Sequence, residues 1–166
     1  MYRPPRRLAS VLSLAIAALL TLTLSGCSWF GGGKSTGKSE SVFDVKVGDC
    51  FTAPGDVKTE LASLNKVPCT QAHAQEAYAL IAYAKADANS ASAAYPSADV
   101  LTNFAQGSCS QKFQSYVGVN YLDSSYFFTF LLPSARGWEQ DTDRNVICFI
   151  TTTGGTLTAS AKNTKK

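Results

Sequence analysis

The sequence predicts a small α+β domain, in which a mainly antiparallel sheet of about five strands carries one main helix on a face and is stapled by two disulfides. Three observations predict this fold class. Several short segments have the apolar patterns of strands, and residues 97–117 carry apolar side chains at helical spacing. Four cysteines follow Cys27, and an even number of cysteines in an exported chain favours disulfides.

Residues 97–117 are the most helical stretch of the chain. Asp99 lies where a carboxylate is favoured near a helix start, and Gly118 is the residue type that favours a helix end. The apolar face of this predicted helix contains Leu101, Phe104, Ala105, Cys109, Phe113 and Tyr116. We therefore expect the helix to lie across one face of the sheet.

The predicted strands differ in how many of their faces are apolar. Residues 126–132 are apolar on both faces, which is typical of a central strand covered on both sides, and Pro133 ends this segment. Residues 144–152 place Cys148 on one face of a strand and Phe149 on the other. The predicted strands are residues 45–51, 74–83, 126–132, 144–152 and a short one around 157–160, and residues 134–140 are predicted to form one or two helical turns.

The four cysteines Cys50, Cys69, Cys109 and Cys148 allow three disulfide pairings. We favour Cys50 with Cys69, because they flank segments predicted as adjacent strands, and Cys109 with Cys148, because that bond would pin the helix to the sheet. The other pairings stay open at this point. Each bond is worth about 3 kcal/mol. Zinc is disfavoured because no two of these cysteines have C-x-x-C spacing and the chain has one histidine.

Residues 1–26 have the order of a bacterial lipoprotein signal peptide. Three arginines precede the apolar run 8–24, and Leu24-Ser25-Gly26-Cys27 resembles a lipobox, in which diacylglycerol is attached to the cysteine. The alternative is an uncleaved transmembrane helix, which needs about 20 apolar residues. We expect lipid on Cys27 to hold the protein on the extracytoplasmic face of the cell membrane. The general secretory route is favoured, although Arg6-Arg7 leaves a twin-arginine route open.

The rest of the chain divides into three parts. Residues 27–41 are predicted to be the lipidated cysteine and a flexible tether, residues 42–160 one α+β domain, and residues 161–166 a basic, disordered tail. The signal peptide holds three of the 15 Lys and Arg residues and no acidic residue, so the mature chain has 12 basic and 12 acidic residues. This neutrality argues against nucleic acid as a partner.

His73 and Glu76 are the candidate binding or structural residues, together with Trp138, which is expected to pack inward. In a strand the side chains of His73 and Glu76 would not share a face, so we interpret them as part of a hydrogen-bonded turn. The alternative is a small-molecule or metal-binding site around this pair. No nucleophile motif accompanies His73, so we predict no catalytic residue, no enzymatic activity and no cofactor.

Two stretches of the sequence resemble the septum formation family of actinobacterial envelope proteins. The first is VFDVKVGDCF at residues 42–51, followed by Val67-Pro68-Cys69, His73 and Glu76. The second comprises Cys109 in a helix, Tyr121-Leu122-Asp123, Pro133, Trp138 and Asp143-Arg144 ahead of Cys148. One departure is Ala72, which stands where a proline is expected before the histidine.

This resemblance implies a non-catalytic, cysteine-containing module outside the cytoplasm, behind a lipid or membrane anchor and linked to septum formation. It implies no particular reaction. Envelope proteins and cell-wall polymers such as peptidoglycan are the expected partners. An aromatic surface groove would support such a binding module, whereas a deep polar cleft at His73 and Glu76 would support the small-ligand alternative.

Overall fold

The computed structural model of the chain describes residues 37–54, 61–83 and 93–166. The predicted signal peptide, Cys27 and most of the predicted tether lie outside the described residues. The described part contains a six-stranded antiparallel sheet and a 20-residue helix, so the predicted α+β class is confirmed.

The sheet has its strands in the order β1-β3-β2-β4-β6-β5, and every neighbouring pair is antiparallel. The long strands β4 and β6 lie beside each other in it. A one-residue register shift between Ala77 and Ala79 interrupts their pairing. The strands are β1 Lys38–Ser41, β2 Cys50–Phe51, β3 Ser63–Val67, β4 Gln75–Ala82, β5 Phe127–Leu131 and β6 Asn145–Thr151.

Two of these strands, β1 and β3, are not among the segments predicted as strands. The predicted strand 45–51 shrinks to β2, because Gly48 has a φ of 94° and the Asp49 carboxylate accepts the Lys46 N–H in a turn. The predicted strand near 157–160 contributes only an isolated bridge between His73 and Leu157.

The prediction that residues 126–132 form a central strand was wrong, because β5 is an edge strand. Its aromatic residues do divide between two faces. Phe128 and Phe130 pack against the core beneath the helix, whereas the Phe127 side chain is 53% exposed on the other face. Apolar residues on both faces therefore reflect one covered face and one that stays partly open.

Helix α1, Ala98–Val117, begins and ends where the sequence predicts. The Ser97 hydroxyl accepts the Val100 N–H at 3.4 Å and caps the N-terminus. Gly118 ends the helix in the left-handed conformation at φ 93°, and its N–H donates to the Gln114 carbonyl. Helix α1 packs on β4, β5 and β6, and this core contains Tyr78, Ala105, Cys109, Phe113, Tyr116, Val117, Val146, Cys148 and Ile150.

The other face of the sheet has a smaller apolar cluster. It is covered in part by Val42 and Val45, which lie in and beside a 3-10 turn at Val42–Asp44. The buried residues of this cluster are Val45, Phe51, Leu64, Ala77, Ile147 and Phe149. The alternation predicted for β6 is confirmed, since its odd and even positions enter different clusters.

Both favoured disulfides are present. Cys50 and Cys69 are joined with their Cα atoms 5.2 Å apart, and Cys109 and Cys148 with theirs 5.6 Å apart. The second bond links α1 to β6, as the sequence predicts. Cys109, Cys148 and Cys50 are fully buried, whereas Cys69 is half-buried.

Trp138 has a structural role at the end of the sheet. It lies in the short helix α2, Ala135–Gln140, and is 1% exposed. Its indole N–H donates to the Ala93 carbonyl at 2.7 Å, and the Arg144 guanidinium lies 3.7 Å from the ring centroid. The same Arg144 donates to the Trp138 carbonyl at 2.7 Å, so cation and indole hold each other in place.

The C-terminal residues differ from the expected disordered tail. Ala161 is fully buried, and the backbone N–H groups of Asn163 and Lys165 donate to the carbonyls of Tyr116 and Val117, each at 2.9 Å. The last carbonyls of a helix lack partners within it, so this segment satisfies them. The ordered domain therefore continues to residue 166, and it begins at β1, inside the predicted tether.

The Cys109–Cys148 bond predicts a pattern of non-additive stability losses. Cys109→Ala, Cys148→Ala and the double variant should each lower the free energy of unfolding by about 3 kcal/mol or more, because each breaks the same cross-link. Chemical denaturation followed by near-UV circular dichroism measures the losses. As a control, Cys69→Ala combined with Cys109→Ala should lose the sum of both single effects. A double Cys109→Ala/Cys148→Ala loss close to the sum of its singles would contradict the pattern.

Candidate functional site: a buried centre and a surface groove

Glu76 is fully buried in β4, and its carboxylate accepts three hydrogen bonds. Oε1 accepts the Tyr116 hydroxyl at 2.5 Å and the Ser160 hydroxyl at 2.6 Å, and Oε2 accepts the Ala161 N–H at 2.7 Å. These donors come from α1 and the C-terminal segment. One carboxylate therefore ties the sheet to both, and its three bonds offset the cost of burying it.

Tyr116 remains a hydrogen-bond donor to this carboxylate over the physiological pH range. Burial, and then the hydrogen bond to Glu76, raises the pKa of the Tyr116 phenol. Burial also raises the pKa of Tyr78, whose hydroxyl donates to the Cys109 carbonyl at 2.8 Å. Both phenols are structural donors beneath the helix.

His73 is 1% exposed, and its backbone forms two hydrogen bonds with Leu157. Nδ1 lies 2.7 Å from the Gln71 carbonyl oxygen, which can only accept, so Nδ1 carries the proton. In the neutral ring Nε2 then has a free lone pair. Nε2 is buried and has no hydrogen-bond partner among the described residues.

The structure brings His73 and Glu76 together, so the expectation that they lie apart was wrong. One ligand atom each from Cys50, His73 and Glu76 lies within 4.8 Å of the others. Strand alternation does not apply to the pair, because β4 begins at Gln75 and His73 lies before it, bridged to Leu157. We call these three residues the buried centre.

Sequence reasoning missed the donors that surround Glu76. They are Tyr116, Ser160 and Ala161, which lie 40, 84 and 85 positions away along the chain. No local pattern connects such distant positions. Their one shared signal is the carboxylate itself, since a buried Glu needs hydrogen-bond donors.

The oxidised centre has no arrangement for nucleophilic catalysis. The Ser160 hydroxyl donates to Glu76, and neither ring nitrogen of His73 faces a nucleophile among the described residues. His73 and Glu76 are also closed off from solvent, which disfavours the small-ligand alternative.

A groove of about 820 Å³ lies elsewhere, on the sheet face opposite α1. Its floor is apolar and includes Leu80, Leu131 and Ile147, and two of its walls are Phe43 and Tyr95. Phe43 is 55% exposed and Leu80 37% exposed, so apolar surface faces solvent here. The polar residues of the groove are Ser134, Arg136, Asp141, Asp143 and Asn145.

The groove adjoins the open edge of the sheet. Leu131 belongs both to the groove and to β5, which pairs on one side with β6 and has no neighbouring strand on the other among the described residues. β5 carries no charged residue or proline, the usual features that protect an edge from pairing. An apolar groove thus meets an unprotected strand edge.

The fold and the buried centre define a disulfide-stapled α+β module whose deepest polar residues serve its structure. A comparison with protein families then assigns it further: the septum formation family matches residues 47–166, and the chain belongs to this family. Membership indicates a protein of the cell envelope, and the family is not known to be enzymatic. Comparisons with curated proteins and with solved structures gave no match.

The described residues were also searched for membrane spans. None of the helices in residues 37–54, 61–83 and 93–166 has the length and apolar content to cross a bilayer.

Replacing the buried carboxylate should loosen the C-terminal segment. In Glu76→Gln an amide N–H₂ would compete with the Ala161 N–H or the two hydroxyls, so we expect a loss of about 2–4 kcal/mol in stability. Amide hydrogen exchange should rise at residues 160–166 before the rest of the domain. The exposed Glu139 gives a matched control, and Glu139→Gln should leave both measurements unchanged. Unaltered exchange at residues 160–166 in Glu76→Gln would refute the role assigned to this carboxylate.

Proposed function

We propose that this chain is a lipid-anchored, extracytoplasmic and non-catalytic module of the cell envelope that binds an extended peptide segment of an envelope protein during septum formation. The observation that carries this proposal is the apolar groove that meets the unprotected edge of β5. Family membership supports the envelope and the link to septum formation.

The anchor is supported by the sequence and by the disulfides. The signal pattern of residues 1–26 ends at a lipobox-like Cys27, where lipid would be attached. Two disulfides fit a domain that works in an oxidising compartment outside the cytoplasm. Two acyl chains suffice to keep a protein on a bilayer without a membrane-spanning helix.

The groove favours a peptide over a charged wall polymer. Its polar residues include Arg136 beside Asp141 and Asp143, so it offers both signs of charge, and a polyanionic polymer would meet two carboxylates. An extended peptide can add to β5 through its backbone and place alternate side chains over Leu131 and Leu80. This match between an open edge and an adjacent apolar floor is the usual geometry of strand addition.

The sheet separates the anchor from the proposed binding edge. The chain enters the sheet at β1, and β1 and β5 form its two opposite edges. A tether that joins β1 to Cys27 therefore leaves the hydrogen-bonding groups of β5 unoccupied. The domain can be held on the membrane and bind a partner strand at the same time.

Lipid on Cys27 can be tested by intact-mass and peptide mass spectrometry of the protein from its native membrane, before and after reduction. We expect a diacylglycerol-modified Cys27 at the mature N-terminus and disulfides at 50–69 and 109–148. Cys27→Ser should move the protein from the membrane fraction to the soluble fraction or leave its signal peptide uncleaved. An unmodified Cys27 in a membrane-bound, processed chain would contradict the proposed anchor.

The groove can be tested by photo-crosslinking in cells, with the crosslinking residue placed at Thr129 of β5. We expect crosslinks to an envelope protein that fall at least about tenfold in Leu80→Glu, because a charge on the apolar floor opposes burial of a partner side chain. Leu122→Glu is the matched control, since Leu122 is 76% exposed and lies outside the groove. Equal crosslinking in both variants, or crosslinks only to wall polymer, would overturn the proposal.

A further inference from the structure

The buried lone pair of His73 Nε2 needs a physical explanation. Leaving a buried acceptor without a partner costs about 1–3 kcal/mol, and such atoms mark redox, catalytic or ion-binding roles when they persist. The atom lies in the buried centre, where Cys50 and Glu76 also present potential ligand atoms. Its neighbours therefore suggest what the lone pair can bind.

The second ring nitrogen of His73 has the contact typical of a metal-binding histidine. Such histidines donate their other N–H to a backbone carbonyl or a carboxylate, which fixes the tautomer and points the lone pair at the metal. Here Nδ1 donates to the Gln71 carbonyl at 2.7 Å. The tautomer is thus set for coordination through Nε2.

Glu76 has the same kind of support. An ionised carboxylate offers about four lone-pair positions. Tyr116 and Ser160 occupy two on Oε1, and the Ala161 N–H occupies one on Oε2. One position on Oε2 remains, and the three donors hold the carboxylate in a fixed orientation, as the hydrogen bonds around metal-binding carboxylates do.

Cys50 lacks a free thiolate only because it is bonded to Cys69. We propose that reduction of this disulfide creates a zinc site, in which Cys50, Cys69, His73 and Glu76 bind a Zn²⁺ ion. Two thiolates, an imidazole and a carboxylate form a four-ligand set suited to Zn²⁺. The site is therefore switched by redox state and is absent from the oxidised protein. It is independent of the groove and of the partner proposed for it.

The burial of the cysteines determines the course of the reduction. Cys69 is half-buried whereas Cys50 is fully buried, so a dithiol reductant attacks the Cys69 sulfur and Cys50 leaves as a thiolate. The second thiol of the reductant then displaces Cys69, and the reductant departs as its own disulfide. Binding of Zn²⁺ by the two thiols releases two protons. The fully buried Cys109–Cys148 bond is shielded from this attack.

The first experiment asks which disulfide is reduced in the folded protein. The full chain without a histidine tag is treated with dithiothreitol, and one portion is alkylated and mapped by mass spectrometry. We expect label on Cys50 and Cys69 with Cys109–Cys148 intact, and an unchanged near-UV circular dichroism spectrum. Loss of that spectrum on reduction, or an intact Cys50–Cys69 bond, would overturn a site preformed in the fold.

The second experiment follows the metal at His73. The chain contains one histidine, so a ¹⁵N-histidine label reports a single imidazole. After the reductant is removed without oxygen, Zn²⁺ alone should shift the Nε2 resonance to a metal-bound position, with one ion per chain, while Nδ1 stays protonated. The oxidised protein should show no such shift. An Nε2 resonance that is unmoved in the reduced protein, or moved equally in the oxidised one, would refute the site.

Variants separate this site from binding to other thiols. Cys50→Ser/Cys69→Ser and His73→Phe should each weaken Zn²⁺ binding at least about a hundredfold, since loss of even an outer hydrogen bond costs 10–100-fold at such sites. Cys27→Ser is the matched control, because it removes a cysteine outside the buried centre, and it should bind Zn²⁺ like the parent chain. Undiminished binding in folded His73→Phe would overturn the proposal. If that variant does not fold, the imidazole resonance of the parent chain decides.

Discussion

The rest of the structure depends on one buried carboxylate. Glu76 receives a hydrogen bond from helix α1 through Tyr116 and two from the C-terminal segment through Ser160 and Ala161. The disulfide between α1 and β6 fixes the same layers covalently, but it does not reach the last residues. A buried charge with well-placed donors is costly to disturb, because removing one partner leaves the others unsatisfied. The carboxylate therefore selects one arrangement of sheet, helix and C-terminus.

The parts of the fold that local chemistry determines were predictable. Ser97 and Gly118 mark the ends of α1, and an even set of cysteines indicates the two cross-links. Strands β1 and β3 escaped prediction because they are short and largely polar, and their pairing partners lie elsewhere in the chain. The edge position of β5 could not be predicted either, since apolar residues on both faces fit a covered central strand equally well. Long-range pairing decides between the two.

The candidate site shows the same division. The sequence indicates His73 and Glu76 as unusual residues, but strand alternation places them on different faces. The isolated bridge to Leu157 keeps His73 outside β4 and turns it towards Glu76. Only the folded chain reveals that the pair is buried and that the open surface lies on the other side of the sheet, at Leu80 and Leu131. The two faces thus divide their roles: one is stabilised by the helix, and the other is available to a partner.

The distance along the chain between Glu76 and its donors has a consequence for folding. Ser160 and Ala161 follow Glu76 by 84 and 85 positions, so the carboxylate stays without them until nearly the whole domain has been synthesised. A partial chain can form the α1 helix, but it cannot close its core without stranding a charge in an apolar interior. Premature folding is thereby disfavoured, which helps a chain that must cross a membrane unfolded. The C-terminal segment acts as the last part of the domain to report that the chain is complete.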